Sequence, residues 1–328
     1  MRFGLFIPQG WRQDLVGIEP AEHWATMHGL AAHADAGEAW ESVWVYDHMH
    51  AVPEPNGEAV HEAWTLMAAF AASTRQVRLG QMCTCMAYRN PAHLAKVATT
   101  VDVVSGGRVE MGIGAGWYEH EWLAYGYGFP RAGVRIAMLD EGVQIMRQMW
   151  TDGVATLDGE HYQVAGAQLS PLPLQTDGPP LWVAGGGEKK TLRIAAEHAA
   201  YTNFDGTPEG FVHKSAVLRG HCETIGRPFE EITRSANYNV VIGATQAEVD
   251  DRIAWVEEHY ARTVPAKAAN VAEEFRRGPL VGTPEQIVET LRHLEGLGMT
   301  YALCYFAEAA YDRSGIELFE REVVPALR

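Results

Sequence analysis

The sequence is short of positive charge. Among its 328 residues, lysine and arginine together number 26 against 42 aspartates and glutamates, which gives a formal net charge of −16. Nucleic acids and anionic membrane surfaces are bound through clustered cations, so this balance argues against both classes of partner. The acidic residues are scattered through segments of helical pattern, which is typical of a solvated protein surface.

Long apolar runs and cysteine-rich patterns are also missing. No run approaches the roughly 20 apolar residues that a membrane span needs, and the apolar stretch before Pro8 is too short for a signal-peptide core. Four cysteines in a chain of this length do not make a disulfide framework. We therefore expect a cytoplasmic protein with reduced thiols.

The sequence does contain a regular alternation of short apolar strands with amphipathic helical segments. Eight strands that alternate with helices predict a parallel sheet with right-handed crossovers, and eight is the number that closes a (β/α)8 TIM barrel. The predicted strands are residues 2–8, 42–47, 77–84, 108–114, 180–185, 200–204, 235–243 and 301–307.

The chain is longer than the roughly 250 residues of a plain barrel, and two segments account for the difference. Residues 151–179 are rich in turn residues and predict a hairpin between the fourth helix and the fifth strand. Residues 246–280 predict an extra helical segment after the seventh strand. No linker is long enough to separate two domains, so we predict one barrel domain over residues 1–328 with two insertions.

The stretch RVEMGIGAGWYEHE, residues 108–121, has glycines at 112, 114 and 116. A dinucleotide-binding fingerprint requires G-x-G-x-x-G after the first strand, whereas here a tryptophan stands in the third glycine's place and the motif follows the fourth strand. In a barrel, the C-terminal end of a strand opens onto the active-site face. The stretch therefore predicts the floor of an active site, with its rim formed by Trp117, Glu119, His120 and Glu121.

A candidate phosphate site lies at AGGGEKKTLRIAAEH, residues 184–198. Three glycines end a strand and open a helix, so free backbone N–H groups and the helix dipole would point at one spot. Lys189 and Lys190 add positive charge there. A flexible strand–helix turn is the alternative interpretation, and the position after strand five, near the usual phosphate corner of such barrels, favours the anion site.

Two other strand ends carry side chains of chemical interest. Strand two ends in Asp47-His48-Met49-His50, and a histidine at a barrel rim can shuttle a proton near neutral pH, although most histidines in a chain are structural. Strand three ends in the C-x-C pair Cys83 and Cys85. Structural zinc usually needs four ligands, so these are predicted to be packing cysteines rather than a metal or redox site.

Taken together, these motifs resemble the luciferase-like monooxygenase superfamily, in its coenzyme F420-dependent oxidoreductase branch. The resemblance covers essentially the whole chain and depends on the order and spacing of several segments. These are MRFGLFIPQGW, WVYDHMH, LGQMCTCMAYRNPAHLAK, SGGRVEMGIGAGWYEHEWLAYG, WVAGGGEKKTLRIAAEHA and VGTPEQIVETLRHLEGLGM.

The resemblance implies a homodimeric barrel that holds a flavin or deazaflavin ring at the strand C-termini, with a non-proline cis peptide behind the ring. It implies that Asp47 and His48 face the ring and that Trp117 and Glu121 line the substrate side. We predict His48 as the proton-transfer group with Glu121 second, and Asp47 would set the His48 tautomer or bond the ring. The implied cofactor contacts are Asp47, Met82, Cys83, Thr84, Gly185, Gly186, Gly187 and Glu188. The expected substrate pocket comprises Trp117, His120, Val52 and Trp64, within loops that include the hairpin insertion.

Two departures argue against the sugar-phosphate dehydrogenases of this branch. Trp117 stands where those enzymes carry an acid, and Val52 stands where they carry a tryptophan. We therefore predict hydride transfer between the deazaflavin C5 of F420 and a small organic substrate that is apolar or aromatic. The alternatives are an FMN-dependent monooxygenase that uses reduced flavin and O2, a metal-dependent hydrolase built on His48 and His50, and a cofactor-binding protein without activity.

Overall fold

The predicted strands form a closed parallel barrel in the computed structural model, which describes residues 1–328. The strands of the chain are β1 (Arg2–Phe6), β2 (Ser42–Val45), β3 (Arg78–Gln81), β4 (Thr84–Cys85), β5 (Val109–Gly114), β6 (Val154–Asp158), β7 (Gln163–Gln168), β8 (Leu181–Ala184), β9 (Tyr201–Asn203), β10 (Thr233–Ile242), β11 (Leu280–Gly282) and β12 (Tyr301–Tyr305). The barrel runs β1-β2-β3-β5-β8-β9-β10-β12, and β12 pairs with β1 to close it. All eight predicted barrel strands are confirmed.

Helices follow the barrel strands and cover the outside of the sheet. They are α1 (Pro20–Ala36), α2 (Ala63–Ser73), α3 (Pro91–Ser105), α4 (Glu119–Ala124), α5 (Ala132–Asp152), α6 (Thr191–His198), α7 (Pro208–Ile225), α8 (Gln246–Ala261), α9 (Ala268–Arg276), α10 (Pro284–Gly296) and α11 (Ser314–Leu318). The predicted start of α10 is confirmed, because Thr283 and Gln286 form a capping box that satisfies backbone N–H groups at the helix start. None of these helices combines the length and hydropathy that crossing a bilayer requires.

Both predicted insertions are present, and they differ in what they contact. The first is the antiparallel hairpin β6–β7, whose tip packs along α5 because the Glu141 carboxylate accepts the backbone N–H groups of residues 160–162. The second contains α8 and α9 and then β11, which extends the sheet by pairing with β10. This second insertion packs against β10, and Phe275 on α9 lies 6.4 Å from Tyr305 at the end of β12, measured between ring centroids.

Large aromatic side chains fill the barrel interior below the strand C-termini. Trp44 and Trp182 contact edge to face with their ring centroids 4.7 Å apart, and Tyr301 lies 5.1 Å from Trp182. Gly80 makes room for this layer, because a Cβ at this position would lie 2.3 Å from the Trp44 ring. The barrel is therefore packed at its base, and the residues that follow the strand C-termini surround an open face, here called the barrel mouth.

Candidate active site

The barrel mouth contains a cavity of about 420 Å3, here called the main cavity. Its wall comes from the ends of β1, β2, β5 and β8, together with β4 and the start of α5. This is the face on which active sites of this fold are built. Of the predicted site residues, those that line it are Asp47, His48, Met82, Cys83, Gly185, Gly187 and Trp117.

Asp47 is buried and is fixed by an arginine. Both terminal nitrogens of Arg89 donate to its two carboxylate oxygens at 2.8 and 2.9 Å, and the Cys85 backbone N–H donates to Oδ2 at 2.9 Å. The interpretation in which Asp47 sets the His48 tautomer is therefore wrong, because no hydrogen bond joins the two side chains. Asp47 instead ties the end of β2 to β4 and to the segment before α3.

His48 is oriented by Glu121. Its Nδ1 lies 2.9 Å from Glu121 Oε2, and the carboxylate also accepts the Tyr88 hydroxyl at 3.0 Å and the backbone N–H groups of Met49 and His50 at 2.7 and 2.9 Å. Burial raises the pKa of Glu121, but the hydrogen bonds from His48 and the two backbone groups outweigh it, so the pKa lies below its ordinary value. An ionised Glu121 accepts the Nδ1 proton, which leaves Nε2 of His48 as the ring nitrogen for a ligand.

Glu121 does not reach the main cavity. Its side chain is fully buried behind His48, so the expectation that it lines the substrate side is wrong. A carboxylate that already accepts four hydrogen bonds has no free lone pair for a substrate proton. In the structure, Glu121 therefore holds the His48 ring in place and does not itself face the cavity.

Trp11, which the sequence argument missed, covers one face of His48. The two rings are stacked with centroids 4.1 Å apart and an interplanar angle of 3°. Trp11 lies in the loop after β1, and the rule that strand C-termini open onto the active face could have identified it. The Val52 backbone N–H donates to the Trp11 carbonyl at 2.8 Å, so Val52 holds this loop and does not line the cavity as predicted.

The bond between Met82 and Cys83 is a non-proline cis peptide, as the resemblance implied. It separates β3 from β4 and brings Met82 and Cys83 to the cavity wall. Burial raises the pKa of Cys83 to about 12, so this thiol is neutral at physiological pH. Thr84 turns away from the cavity, contrary to the prediction, and its hydroxyl donates to Gln81 Oε1 at 2.7 Å in the core.

The glycine turn after β8 fits a phosphate group. Gly185 and Gly187 line the cavity together with Thr191, the first residue of α6, and Gly185 has a left-handed φ of +120°. The backbone N–H groups of Gly186 and Gly187 make no hydrogen bond within the protein, so they remain available to an anion beside the helix N-terminus. Glu188 lies outside the cavity, because its carboxylate pairs with Lys214 at 2.6 Å on the surface.

Three predicted pocket residues lie in different environments. Trp117 stands at the rim with 60% of its surface exposed. His120 is exposed outside the cavity and packs beside His50, with the two ring centroids 4.9 Å apart. Trp64 belongs to the hydrophobic core between the barrel and its helices, so its assignment to the substrate pocket is wrong. The hairpin insertion likewise contributes nothing to the main cavity.

Metal-ligating side chains do not converge at the barrel mouth. The only three His, Cys, Asp or Glu side chains whose ligand atoms lie within 4.8 Å of one another are Asp140, Glu197 and His198, on α5 and α6. Arg193 forms ion pairs with Asp140 and Glu197 there, each at 2.6 Å, so the carboxylates already have a cationic partner. The Nδ1 atom of His48 is hydrogen-bonded to Glu121. The structure therefore shows no set of metal ligands at the barrel mouth that would support the metal-dependent hydrolase.

Comparison with known proteins identifies the family. The luciferase-like monooxygenase family matches residues 1–301. An F420-dependent glucose-6-phosphate dehydrogenase of Nocardia farcinica is 27% identical over 318 residues, which cover 88% of this chain and 90% of the relative. A pyrimidine monooxygenase of Stutzerimonas stutzeri is 26% identical over 293 residues, which cover 81% and 79%. The chain therefore belongs to the luciferase-like monooxygenase family, and it is an oxidoreductase.

Solved structures share the fold at lower sequence identity. An F420-dependent secondary alcohol dehydrogenase, in complex with an F420-acetone adduct, superimposes with a TM-score of 0.79 at 20% identity and covers 100% of this chain and 99% of its own. A monooxygenase from Streptomyces bottropensis gives the same TM-score and identity, with complete coverage of both chains. These similarities confirm the TIM-barrel architecture.

Proposed function

We propose that this member of the luciferase-like monooxygenase family is an F420-dependent oxidoreductase that transfers a hydride between the deazaflavin C5 and a small organic substrate. The observation that carries the proposal is the His48 ring in the wall of the main cavity, which Glu121 and Trp11 hold in one orientation. The similarity to several F420-dependent dehydrogenases over 88% of the chain supports this choice of cofactor.

The residues that would hold the cofactor are present on both sides of the cavity. Gly186 and Gly187 offer unpaired N–H groups to its phosphate, and Gly185 leaves room for close approach of the ligand. The cis peptide at Met82–Cys83 would stand behind the ring. When bound, F420 supplies the hydride donor or acceptor, and the protein supplies orientation and an enclosed site.

His48 would move the proton that accompanies hydride transfer. Because its Nδ1 proton is shared with Glu121, Nε2 of the neutral ring accepts a proton, and Nε2 of the charged ring donates one. Trp11 and Glu121 limit ring rotation, which keeps Nε2 in one place. The exposed face of Trp117 at the rim favours a substrate with an apolar or aromatic body.

The second candidate is a monooxygenase that uses reduced FMN and oxygen. The similarity to pyrimidine monooxygenases, at 26% identity, favours it almost as strongly as the dehydrogenase similarity favours F420. The glycine turn does not discriminate, because both cofactors carry a phosphate that it could hold. A direct measurement of cofactor binding distinguishes the two proposals.

The test is an equilibrium titration of the purified chain with oxidised F420 and, separately, with FMN, followed by fluorescence quenching or calorimetry. We expect tight binding of F420 and weak binding of FMN. The reverse result would establish the flavin monooxygenase, and binding of neither cofactor would contradict both proposals. Gly187→Ala is the matched site variant, because its Cβ would lie 2.6 Å from Thr191 Oγ1, and Gly133→Ala, with open space at its Cβ, is the control.

A further inference from the structure

A second cavity of about 200 Å3 adjoins the main cavity. Tyr46 and Asn237 belong to the walls of both, so a ligand that extends past these two residues would enter the second cavity from the first. Its other walls come from the ends of β9 and β12, from the middle of β10, from the loop after β1, and from residues 278–279 of the second insertion. None of the predicted site residues lies in it.

Arg12 is the one cation in this second cavity. Its guanidinium carbon lies 4.1 Å from the centroid of the Tyr305 ring and 5.3 Å from that of Phe275 on α9. One terminal nitrogen donates to Asn239 Oδ1 at 2.6 Å, and the Tyr260 hydroxyl donates to the Arg12 backbone carbonyl at 2.7 Å. The second insertion therefore fixes the position of this arginine through Tyr260 and Phe275.

Arg12 has no carboxylate partner within the protein. None of the ion pairs of 4.0 Å or less includes it. Asp14, on the same loop, accepts the Gly10 N–H at 2.6 Å and the Tyr305 hydroxyl at 3.1 Å. Burial raises the pKa of Asp14 to about 6, although the nearby charge of Arg12 acts in the opposite direction. Asp205, at the cavity wall, accepts the N–H and hydroxyl of Thr207. Arg12 is half-buried, and its side-chain hydrogen-bond partners are Asn239 and Tyr46, so part of its five N–H donors remains available to a ligand.

We propose that the second cavity binds a carboxylate group of the substrate, held by Arg12 and by the side-chain amides of Asn237 and Asn239. A guanidinium offers a planar fork of donors that matches the two oxygens of a carboxylate. This assignment rests on the proposed function, because it places the body of the substrate in the main cavity beside His48. It narrows the substrate class to small organic acids with an apolar or aromatic body.

Charge decides between a carboxylate and a phosphate ester. The cavity has one cation, Arg12, and the Asp205 carboxylate stands on its wall. A carboxylate adds one negative charge beside Arg12 and Asp205, whereas a dianionic phosphate adds two. The carboxylate therefore leaves less unbalanced negative charge in a protein whose net charge is already −16.

The test compares the binding of benzoate, benzamide and inorganic phosphate to the full-length chain by calorimetry, first without added cofactor and then with F420. Benzamide matches benzoate in shape but carries no charge. Asn239→Asp is the decisive variant, because it places a carboxylate against Arg12 with almost no change in side-chain size. We expect wild-type protein to prefer benzoate to benzamide, and Asn239→Asp to weaken benzoate binding by about tenfold or more, as loss of a charged contact does.

Asn270→Asp is the matched control. It makes the same change of charge at an exposed position on α9 and leaves the cavity unaltered, so benzoate binding should stay the same. Arg12→Lys provides a second variant that keeps the charge but loses the fork, and it should bind benzoate more weakly than wild type. A thermal unfolding curve of each variant shows whether it is folded.

Three results would overturn the proposal: equal affinity for benzoate and benzamide, unchanged benzoate binding in Asn239→Asp, or stronger binding of phosphate than of benzoate. The cofactor titrations fail or succeed independently. Arg12-dependent benzoate binding in a chain that binds neither F420 nor FMN would contradict the proposed function and leave the carboxylate site standing. Cofactor binding without benzoate binding would contradict the carboxylate site and leave the proposed function standing.

Discussion

The two halves of the barrel mouth differ in whether their charged side chains form ion pairs. In the half formed by β2, β4 and α4, both buried carboxylates are paired, Asp47 with Arg89 and Glu121 with His48. In the half formed by the loop after β1, the middle of β10 and the ends of β9 and β12, Arg12 forms no ion pair of 4.0 Å or less with a carboxylate. The first half contains the glycine-lined floor and the histidine. The second contains amides, hydroxyls, the carboxylates of Asp14 and Asp205, and Arg12, which forms no ion pair of 4.0 Å or less with either of them.

This difference distinguishes charged groups that position neighbouring side chains from charged groups that can bind a ligand. A buried charge that is fully paired inside the protein fixes the geometry around it, since moving either partner would leave the other unsatisfied. A cation that the fold holds in place without an anionic partner can form a favourable ion pair with a ligand. The following predictions test whether the two halves divide in this way, starting with the largest expected effect.

Removal of the His48 ring should have the largest effect. His48→Ala should lower the turnover rate by about 10²–10⁴-fold, because a positioned proton-transfer group contributes that much, while F420 affinity changes less. The rate of F420 reduction by an accepted substrate and a cofactor titration measure the two effects. His50→Ala is the control, since the His50 side chain does not line the cavity. A near-wild-type rate for His48→Ala would remove this residue from the mechanism.

Removal of the Asp47 charge should destabilise the fold. Asp47→Asn leaves Arg89 with only the half-exposed Glu62 as an ionic partner, and breaking one side of a buried pair costs about 3 kcal/mol or more. Urea unfolding measures the loss. The matched control is Glu273→Gln, which breaks pairs with exposed arginines and should cost less than about 1 kcal/mol. Equal losses of unfolding free energy in the two variants would show that burial of the Asp47–Arg89 pair does not increase its contribution to stability.

Glu121→Gln should cost about 1–3 kcal/mol of unfolding free energy, because an amide cannot accept all four of the hydrogen bonds that the carboxylate accepts. The pKa of Glu121 is lowered in the folded state, so its contribution is present above the ordinary value of 4.5 and is lost as the pH falls through the lowered pKa.

Unfolding curves at pH 7 and in steps below pH 5 test this prediction. The stability difference between wild type and Glu121→Gln should narrow as the pH falls. A difference that stays constant with pH would mean that the charge of Glu121 does not stabilise the folded state.

The smallest expected effect comes from giving Arg12, in the second half, an ion-pair partner like those in the first half. Asn239→Asp gives Arg12 a carboxylate partner and should raise the unfolding free energy by at most about 1 kcal/mol, since the pair remains partly exposed. Thermal unfolding measures the change. A clear loss of stability would show that Arg12 is already balanced within the protein, which would contradict the contrast between the two halves.

Much of the active site was predictable because it follows the ends of strands. Asp47, His48 and the glycine turn after β8 stand directly after apolar runs, and the rule that strand C-termini share one face brings them together. The cis bond at Met82–Cys83 came from the family resemblance and not from any local pattern. Trp64 was misassigned because an aromatic residue at the start of a helix has the same sequence pattern in a core as in a pocket.

The amino-acid sequence by itself determined the eight strands, the closed barrel and the two insertions, because hydrophobic periodicity and turn residues act over a few neighbouring positions. Only the tertiary structure decided which charges are paired. Glu121 reaches His48 across 73 residues of chain, and Arg12 reaches Asn239 across 227. Such partners are selected by the packing of distant elements, which no local pattern encodes, so the division between a paired and an unpaired half of the barrel mouth arises only on folding.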